Sequence, residues 1–327
     1  MEKVFVTGAS GLIGSNLCHK LAELGYEVTA MVRDQSSLLG LKDFKGKIVR
    51  GDILEGKSLP GLMEGADFVF HPAGLVSFDN RLREKLFRVN VDGTRNVMNA
   101  ALQVGVKKVV HTSSVAAIGI SSAGDIADET VEYNRLRYNV AYSDSKHFGE
   151  VEVEKALECG LNVVIVNPGS IVGQRDVYSH FAVLMRVFRG KRIVPYLSGG
   201  MCVVGVDDVV DGEIAALKLG RTGEKYILGS ENVSFKDLFR EIGEVVGAAK
   251  PNVYVPIWMA KAVASLLEIL SEITGKPPVL TKGHVIAATL PHYFSFEKAK
   301  RELGFEPHPI IEAIRKSYEW SVQNGLL

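Results

Sequence analysis

Cysteine is scarce in this chain, and the few that occur do not have the spacing of a metal or disulfide site. Cys18, Cys159 and Cys202 are widely separated within 327 residues, with neither CxxC nor CxxH spacing. This distribution argues against structural zinc and against a disulfide framework, and it favours a reducing compartment. The sequence therefore predicts a cytoplasmic protein without a metal.

An excess of charge and a long hydrophobic run are also missing. The chain has 38 Lys and Arg residues and 38 Asp and Glu residues, so its net charge does not indicate nucleic acid or an anionic membrane as a partner. The most apolar late stretch, 257–270, contains Lys261 and Glu268 and is too short to span a bilayer. We expect it to form a buried helix, with an apolar substrate or a membrane surface as the alternatives to burial. A predicted strand starts at Lys3, so we expect no signal peptide.

The chain does have a glycine-rich turn near its N-terminus, Thr7-Gly8-Ala9-Ser10-Gly11-Leu12-Ile13-Gly14. A β-rich run precedes this turn, and leucines at helical spacing follow it, which predicts a strand, a turn and a helix. In such a unit the first glycine permits the tight turn, the second lets the backbone approach a phosphate, and the third permits close helix packing. The helix N-terminus attracts an anion. We interpret the turn as a dinucleotide site, the alternative being an ordinary turn with spare glycines.

The end of the second predicted strand, 27–33, bears on the choice of dinucleotide. An NAD site tends to have a carboxylate here for the ribose, whereas an NADP site needs a cation for the 2′-phosphate. This chain has Arg33 followed by Asp34. A guanidinium can bind a phosphate through two hydrogen bonds. We therefore predict NADP as the cofactor. NAD is the alternative if the Asp34 carboxylate turns toward the ribose. If neither side chain binds the cofactor, Arg33 and Asp34 are simply a pair of charged residues in solvent at the end of a strand.

Further apolar runs at 47–53, 67–71, 108–112 and 162–166 alternate with helical patterns, including one over 82–104. Strands with few polar positions, separated by helices, predict a parallel sheet covered on both faces. Ligands bind outside the carboxyl ends of such strands. The sequence thus predicts a dinucleotide-binding domain over 1–169, to which segments near 201–220 return, and a mainly substrate-binding lobe over 170–327.

These motifs resemble those of the extended short-chain dehydrogenases/reductases, the superfamily of epimerases and dehydratases. The resemblance rests on the glycine turn, Gly51-Asp52-Ile53, His71-Pro72-Ala73-Gly74, Val89-Asn90-Val91-Asp92-Gly93-Thr94, Thr112-Ser113-Ser114, Tyr142-Ser143-Asp144-Ser145-Lys146, Asn167-Pro168-Gly169 and Val206-Asp207-Asp208-Val209. The segments 30–34 and 226–232 are most similar to the dihydroflavonol-reductase/aldehyde-reductase branch. One departure is Ala73-Gly74, where the superfamily usually has two alanines.

The resemblance implies a Rossmann-type doubly wound parallel α/β sheet with a smaller, interwoven lobe. It also implies a catalytic set of Ser114, Tyr142 and Lys146, with Ser113 as the neighbour that could be mistaken for the serine. A phenol has a pKa of about 10, so we expect the charge of Lys146, one turn along the helix, to lower the pKa of Tyr142. The predicted cofactor contacts are Gly8, Ser10, Gly11, Leu12, Ile13, Gly14, Arg33, Asp52, Ile53, Ala73, Gly74, Tyr142, Lys146, Pro168 and Ser170.

Three functions are compatible with this pattern. The first is an NADP-dependent reductase of a ketone or aldehyde, and the second is a nucleotide-sugar epimerase or dehydratase with tightly bound NAD. The third is a non-catalytic regulator that binds the cofactor. Val115-Ala116-Ala117 lacks the acidic residues that dehydratases usually have after the catalytic serine or threonine, and Arg33 argues against a recycled NAD, so we favour the reductase.

Two further expectations concern the surroundings of the site and the assembly. Several aromatic side chains are expected either to shape an apolar substrate pocket or to pack in the core: Phe78, Tyr138, Tyr178, Phe181 and Tyr196. His71 and His111 are expected to be neutral, packed side chains. By resemblance we expect a homodimer through the helices over 142–158 and 82–104, with Phe148, Val151 and Ala156 supplying apolar surface.

Overall fold

A computed structural model describes residues 1–121, 126–178, 180–274, 278, 280–290 and 292–327. Its strands are β1 (Lys3–Val6), β2 (Glu27–Val32), β3 (Lys47–Arg50), β4 (Phe68–His71), β5 (Lys108–Thr112), β6 (Val163–Pro168), β7 (Ser170–Val172), β8 (Pro195–Tyr196), β9 (Gly200–Gly205), β10 (Lys225–Leu228), β11 (Glu231–Ser234) and β12 (Val253–Tyr254). Seven of them form one sheet in the order β10-β6-β5-β4-β1-β2-β3, and every neighbouring pair is parallel. The predicted fold class, a doubly wound parallel sheet, is confirmed.

Twelve helices surround the strands in the described part of the chain. They are α1 (Leu12–Glu23), α2 (Leu59–Met63), α3 (Arg83–Phe87), α4 (Gly93–Val104), α5 (Ala141–Glu158), α6 (His180–Phe188), α7 (Val206–Leu219), α8 (Phe235–Val246), α9 (Ile257–Thr274), α10 (Lys282–Thr289), α11 (Glu297–Leu303) and α12 (Ile310–Gln323). Gly105 and Gly247 end α4 and α8 in the left-handed conformation, which glycine adopts without a steric penalty.

Helices cover both faces of the large sheet. Successive residues of a strand point to opposite faces, so neighbouring apolar residues of one strand pack against different helices. Val4 and Val6 of β1 pack in a cluster with residues of α1, α7 and α11, whereas Phe5 packs on the other face with residues of α4 and α5. The inner strands are therefore apolar at most positions, as expected for a sheet buried on both faces, whereas the edge strand β3 carries Lys47 and Arg50.

The later part of the chain both builds a lobe and returns to the sheet. A three-stranded sheet in the order β11-β9-β7 packs with α6, α8 and α12, while β8 and β12 pair separately. In contrast, α7 packs on the large sheet, and β10 extends that sheet beside β6. These contacts are compatible with the predicted return near 201–220, and the boundary at 169 stays a prediction.

Two elements differ from the predicted pattern. The third strand ends at Arg50 and does not continue through Asp52. The helix predicted over 82–104 is interrupted by one π-helical turn at Arg88–Asp92, between α3 and α4. Single π turns occur frequently at functional sites, and this one directs Asn90 toward the loop after β4.

The predicted helix over 257–270 forms as α9, but the expectation that it is buried is wrong. One side packs inward, where Ala260 and Ala264 contact Val285 of α10. The other side is exposed, and we call it the α9 apolar face: Trp258, Met259, Val263, Leu266, Ile269, Leu270 and Ile273. An apolar composition cannot distinguish the covered side of a helix from an uncovered one. In the described ranges, no helix has the length and apolarity required to cross a bilayer.

Glu213 of α7 is a buried acid at the centre of the sheet. Its side chain is 0% exposed, and Thr112 at the end of β5 donates a 2.6 Å hydrogen bond to its Oε1. Burial raises the pKa of Glu213 to about 8, since a charged carboxylate loses its hydration there. The folded protein therefore binds a proton at neutral pH that the unfolded chain releases.

The acid Glu213 should consequently make stability depend on pH. Because its folded pKa of about 8 lies above the ordinary value of 4.5, its stabilisation is complete below pH 4.5 and is lost as the pH rises toward 8. The slope for one group is at most about 1.4 kcal/mol per pH unit. Urea unfolding at several pH values should show this decline in the wild type and lose it in Glu213→Gln. The exposed control Glu319→Gln should keep it, and an unchanged profile in Glu213→Gln would contradict the assignment.

Candidate active site

The glycine turn after β1 is shaped by close backbone contacts. Gly8 has a φ of +58°, and a methyl group there would lie 2.7 Å from the Cα atom of Ala73. Gly11 donates from its N–H to the carbonyl of Gly8 at 2.9 Å. A methyl group at Gly14 would lie 2.3 Å from the same carbonyl oxygen. Gly8 and Gly14 thus cannot gain a side chain without a shift of the turn.

This turn leaves an anion-binding position at the start of α1. Gly11 precedes the helix in an extended conformation, and none of the described side chains caps the first turn. The amide groups of Leu12, Ile13 and Gly14 therefore lie at the positive end of the helix. Ser10 is buried in the turn beside them. The arrangement fits the pyrophosphate of a dinucleotide, and its predicted residues lie together.

Two guanidinium groups lie where β2 ends. Arg33 and Asp34 are both exposed, and no described acid pairs with Arg33. Arg50, at the end of β3, donates to the backbone carbonyls of Arg33 at 2.7 Å and Asp34 at 3.2 Å. Sequence reasoning missed Arg50 because its role arises from the register that places it beside Val32. The two cations are suited to bind a phosphate at this edge.

The other predicted cofactor contacts follow neighbouring strands. Asp52 comes after β3 and accepts a hydrogen bond from the N–H of Leu54 at 2.9 Å, and Ile53 is buried. Ala73 and Gly74 follow β4, where a methyl group at Gly74 would lie 3.3 Å from Oδ1 of Asn90 and 3.8 Å from Nζ of Lys146. Pro168 ends β6 and Ser170 begins β7. The parallel order of the sheet brings all these strand ends to one edge.

The phenol of Tyr142 is buried at this edge, in the first turn of α5. Burial raises the pKa of Tyr142, and a hydrogen bond from the Ser114 hydroxyl acts in the opposite direction. The expected lowering by Lys146 is not observed, because burial has the larger effect and the Lys146 amine is bonded elsewhere. Ser113, by contrast, has a buried hydroxyl with no partner among the described residues. The contact with Tyr142 is therefore made by Ser114.

Lys146 lies one helical turn after Tyr142 and is only 7% exposed. Its Nζ donates to the carbonyl oxygen of Thr112 at 2.9 Å. Burial lowers the pKa of Lys146 to about 8, and the nearby carboxylate of Glu150 opposes this shift. The amine can therefore exist in both protonation states near neutral pH.

Two buried asparagines hold these groups in position. Asn167 donates from Nδ2 to the carbonyl of Ser114 at 3.0 Å and to Oε1 of Glu150 at 2.7 Å. Asn90 bonds the N–H and the carbonyl of Leu75 at 2.7 and 2.9 Å, and its Nδ2 also donates to Oγ of Ser145 at 2.9 Å. Both residues belong to the motifs quoted for the resemblance, but the sequence did not indicate which backbone groups they would bind.

Arg135 is a further residue that sequence reasoning missed. It is 1% exposed, its NH2 group donates to the carbonyl of Val115 at 3.2 Å, and its NH1 lies 3.1 Å from Nε2 of His292. Its guanidinium also lies 5.6 Å from the ring centroid of Phe294. Arg135 thereby joins the segment after Ser114 to the covering lobe. A lone arginine in an irregular segment carried no signal for this role.

Of the five aromatic residues considered for the substrate region, Phe78 is the one in ring contact with Tyr142. The two ring centroids are 5.5 Å apart. Phe181 packs in the core of the lobe, Tyr196 contacts Tyr254, Tyr138 contacts Arg137, and Tyr178 is exposed.

His71 and His111 are buried, with ring centroids 5.2 Å apart. Burial lowers the pKa of His71 to about 3 and that of His111 well below its usual value, so both rings are neutral. Throughout the described ranges, no three His, Cys, Asp or Glu side chains are grouped so that they could hold a metal ion.

Comparison with known proteins gives a consistent result. The sequence profile of the NAD dependent epimerase/dehydratase family matches residues 4–229. A protein of Synechocystis, provisionally named a dihydroflavonol 4-reductase, is 33% identical over 327 residues, which cover 98% of this chain and 95% of the relative. Sterol demethylase protein B of Methylococcus capsulatus is 29% identical, with 98% of this chain and 99% of the relative covered.

Solved structures agree with the fold. The crystal structure of gox2253 superposes with a TM-score of 0.84 at 34% identity, and each chain is covered completely. The UDP-glucose 4-epimerase of Thermotoga maritima superposes with a TM-score of 0.78 at 23% identity, covering 98% of this chain and 99% of its own. At that identity the second likeness concerns the fold alone.

Proposed function

Since the chain belongs to the NAD dependent epimerase/dehydratase family and is thus an NAD(P)-dependent oxidoreductase, we propose that it reduces a ketone or aldehyde with an apolar body, using NADP. The reverse reaction, oxidation of the corresponding alcohol, uses the same groups. The observation that carries this proposal is the apolar environment of the Tyr142 phenol.

On one side, the ring of Tyr142 packs in a cluster of apolar side chains. Its members are Leu75, Phe78, Leu86, Ala116 and Ala141. A substrate that approaches the phenol must therefore bring an apolar group against Phe78 and its neighbours, because an unpaired polar group would lose its hydration there. This environment favours a hydrocarbon-rich carbonyl compound over a nucleotide sugar, whose hydroxyl groups require polar partners.

The side chains at the site can each perform one part of a carbonyl reduction. A bound nicotinamide would supply the hydride. Tyr142 donates its proton to the carbonyl oxygen, since its raised pKa keeps the phenol protonated at neutral pH. Ser114, whose hydroxyl opposes the rise of the Tyr142 pKa, orients the same oxygen. Lys146 holds the end of β5 through Thr112 and offers a donor beside Gly74, where the ribose of the cofactor would lie.

NADP is preferred in this proposal because two cations flank the end of β2. Arg33 is free of a described acid, and Arg50 holds the backbone of Arg33 and Asp34. A 2′-phosphate would neutralise this local charge, whereas the hydroxyl of NAD would not. We further propose a cytoplasmic location, in line with the scarcity of cysteine.

The epimerase alternative differs in its use of the cofactor. An epimerase returns the hydride and retains NAD, so NAD should copurify with the protein and NADPH should not be consumed. Assays of NADPH oxidation with apolar ketones, aldehydes and nucleotide sugars therefore distinguish the two functions. Turnover of nucleotide sugars without net NADPH oxidation would overturn the reductase proposal.

On a substrate found in this way, Tyr142→Phe should lower turnover by roughly two to four orders of magnitude, the usual contribution of a positioned acid. Cofactor affinity should change little, because the ring is retained. Steady-state kinetics together with calorimetric titration of the cofactor measure both effects. Near-wild-type turnover in Tyr142→Phe would exclude this phenol as the proton donor.

Two further variants separate the roles within the same prediction. Lys146→Ala should reduce both turnover and cofactor affinity, because the amine holds the end of β5 through Thr112 and also lies beside Gly74, where the cofactor would bind. Ser114→Ala should reduce turnover less than Tyr142→Phe does. Tyr26→Phe, which removes a hydroxyl far from the site, serves as the matched control and should behave as the wild type.

Arg33→Ala should selectively weaken NADP binding. A charge-assisted hydrogen bond to phosphate contributes about 1.5–3 kcal/mol, which corresponds to a tenfold to hundredfold loss of affinity. NAD affinity should change little. Calorimetric titration of both cofactors provides the measurement, and Lys45→Ala provides a control with the same loss of charge. Equal NADP and NAD affinity in the wild type would refute the assignment.

We also propose a homodimer formed through α5 and the helical region 82–104, which contains α3 and α4. Phe87 and Phe148 are half-buried with ring centroids 5.8 Å apart, and Val151 is half-buried one turn later. Ala156, which we had expected at this surface, lies instead in the core because it packs against the sheet. Light scattering should give a dimer for the wild type, a monomer for Phe148→Glu and a dimer for the control Val322→Glu. A monomeric wild type at micromolar concentration would end the proposal.

A further inference from the structure

The α9 apolar face is a continuous stripe of large side chains that nothing in the described chain covers. At about 3.6 residues per turn, its seven positions fall within an arc of roughly 140° on one side of the helix. Trp258 is 69% exposed and Leu266 is 57% exposed. Soluble monomers rarely expose contiguous apolar patches of this kind, and such patches usually mark an interaction surface.

The stripe belongs to a helix that is firmly attached to the protein. Ala260 and Ala264 pack against Val285 on the opposite side of α9. The Glu268 carboxylate accepts from the backbone N–H of Lys282 at 2.8 Å, and Ser271 accepts from Arg81 at 3.2 Å. Because these contacts fix one side of the helix toward the protein, the apolar face points away from it.

Basic residues are concentrated in two segments near the start of this surface, although the whole chain has no net charge. The segments 189–200 and 247–267 contain five basic residues and no acidic residue: Arg189, Lys191, Arg192, Lys250 and Lys261. All five are exposed, and none pairs with a described carboxylate. In sequence, Glu244 lies between the two segments and Glu268 directly follows the second. The uniform charge indicates an anionic partner.

Backbone hydrogen bonds bring the two basic segments together. Asn252 donates from its side chain to the carbonyl of Arg192 at 2.7 Å, and Val255 donates to the carbonyl of Tyr196 at 2.9 Å. The helix α9 starts two residues after Val255. The segment that carries the cations of 189–192 is therefore joined to the segment that leads into α9, which also contains the exposed Tyr254, and Trp258 follows in the first turn of the helix. Tryptophan and tyrosine prefer the boundary between water and lipid.

We propose that the α9 apolar face lies on the surface of a bilayer that contains anionic phospholipids, with the five cations at the level of the headgroups. An apolar helix face next to basic residues is the arrangement that binds such a surface without crossing it. A second copy of this chain fits less well. It could cover the apolar stripe, but a chain with no net charge offers no anionic surface to the five cations.

This surface is also connected to the site around Tyr142. The helix α9 packs on α10, and Thr281 at the start of α10 donates to the carbonyl of Phe78 at 2.9 Å. The ring of Phe78 contacts the ring of Tyr142. A lipid-bound surface would therefore lie a few side chains from the phenol. The docking proposal does not rest on the proposed reaction, because vesicle binding requires no substrate.

The test uses the full chain in a Trp320→Phe background, in which Trp258 is the single tryptophan left. Vesicles of phosphatidylcholine with about one-third phosphatidylglycerol should shift the emission of Trp258 to shorter wavelength and should cosediment with the protein. Leu266→Glu should weaken binding by roughly tenfold or more, since it replaces an inserted side chain with a charge. Ile269→Glu is a second variant that should have the same effect.

Matched controls separate this surface from general hydrophobicity and charge. Leu219→Glu makes the same change at a residue of similar exposure, 59%, at the end of α7, and it should bind as the wild type does. The double variant Lys191→Gln and Arg192→Gln should lose roughly tenfold or more on the anionic vesicles. On pure phosphatidylcholine vesicles this double variant should match the wild type.

Three results would overturn the proposal. The first is a wild type that does not bind the anionic vesicles, and the second is equal binding by Leu266→Glu, Leu219→Glu and the wild type. The third is a dimer that light scattering detects, that Leu266→Glu abolishes, and that binds no vesicles. The third result would assign the face to a second copy. None of these results depends on whether the protein reduces a carbonyl compound.

Discussion

The hydrogen bond from Lys146 to the carbonyl of Thr112 is the contact on which the arrangement of the site depends. It attaches α5 to the carboxyl end of β5, where Ser113 and Ser114 follow directly. From the other face of the sheet, Glu213 of α7 accepts from the hydroxyl of the same threonine. Two helices on opposite faces are thus joined to one strand end, and both contacts are buried. If either helix slid along the sheet, its bond would break and a buried polar group would be left without a partner. This loss is costly in free energy, so both helices are held in place.

The loops around the site are also held in place by asparagine side chains, which hydrogen-bond to backbone groups in these irregular segments. Asn90 takes the place of a strand partner for Leu75, and Asn167 does so for Ser114. Loops at the edge of a parallel sheet have no ladder to bond with, so their backbone groups need side chains or water. Arg135 extends the same principle to the covering lobe. The proposed catalytic groups therefore stand on a rigid frame before any ligand binds, which is the condition for electrostatic preorganisation.

Basic and apolar residues are concentrated in one region of this protein, although the net charge of the whole chain is zero. A chain with equal numbers of acidic and basic residues still has two neighbouring segments, 189–200 and 247–267, that contain five cations and no acid, because strand pairing brings these segments together. The same region presents apolar side chains to the outside, and α10 connects it to Phe78 and Tyr142. If this surface meets a bilayer, an apolar substrate could pass to the phenol without crossing bulk water, so the surface and the site would serve one reaction.

The sequence by itself determined the fold class and the place of the glycine turn between β1 and α1, because alternating strands and helices, glycine spacing and strand-end motifs act through local geometry and through one sheet edge. It also indicated Tyr142 and Lys146, which one helical turn places on the same face. Only the tertiary structure decided the partner of Lys146, the direction of the pKa shift of Tyr142, the role of Arg50 and the exposure of α9. Each of these depends on burial and on contacts between segments distant in sequence, since the environment of a side chain is set by the elements that pack around it.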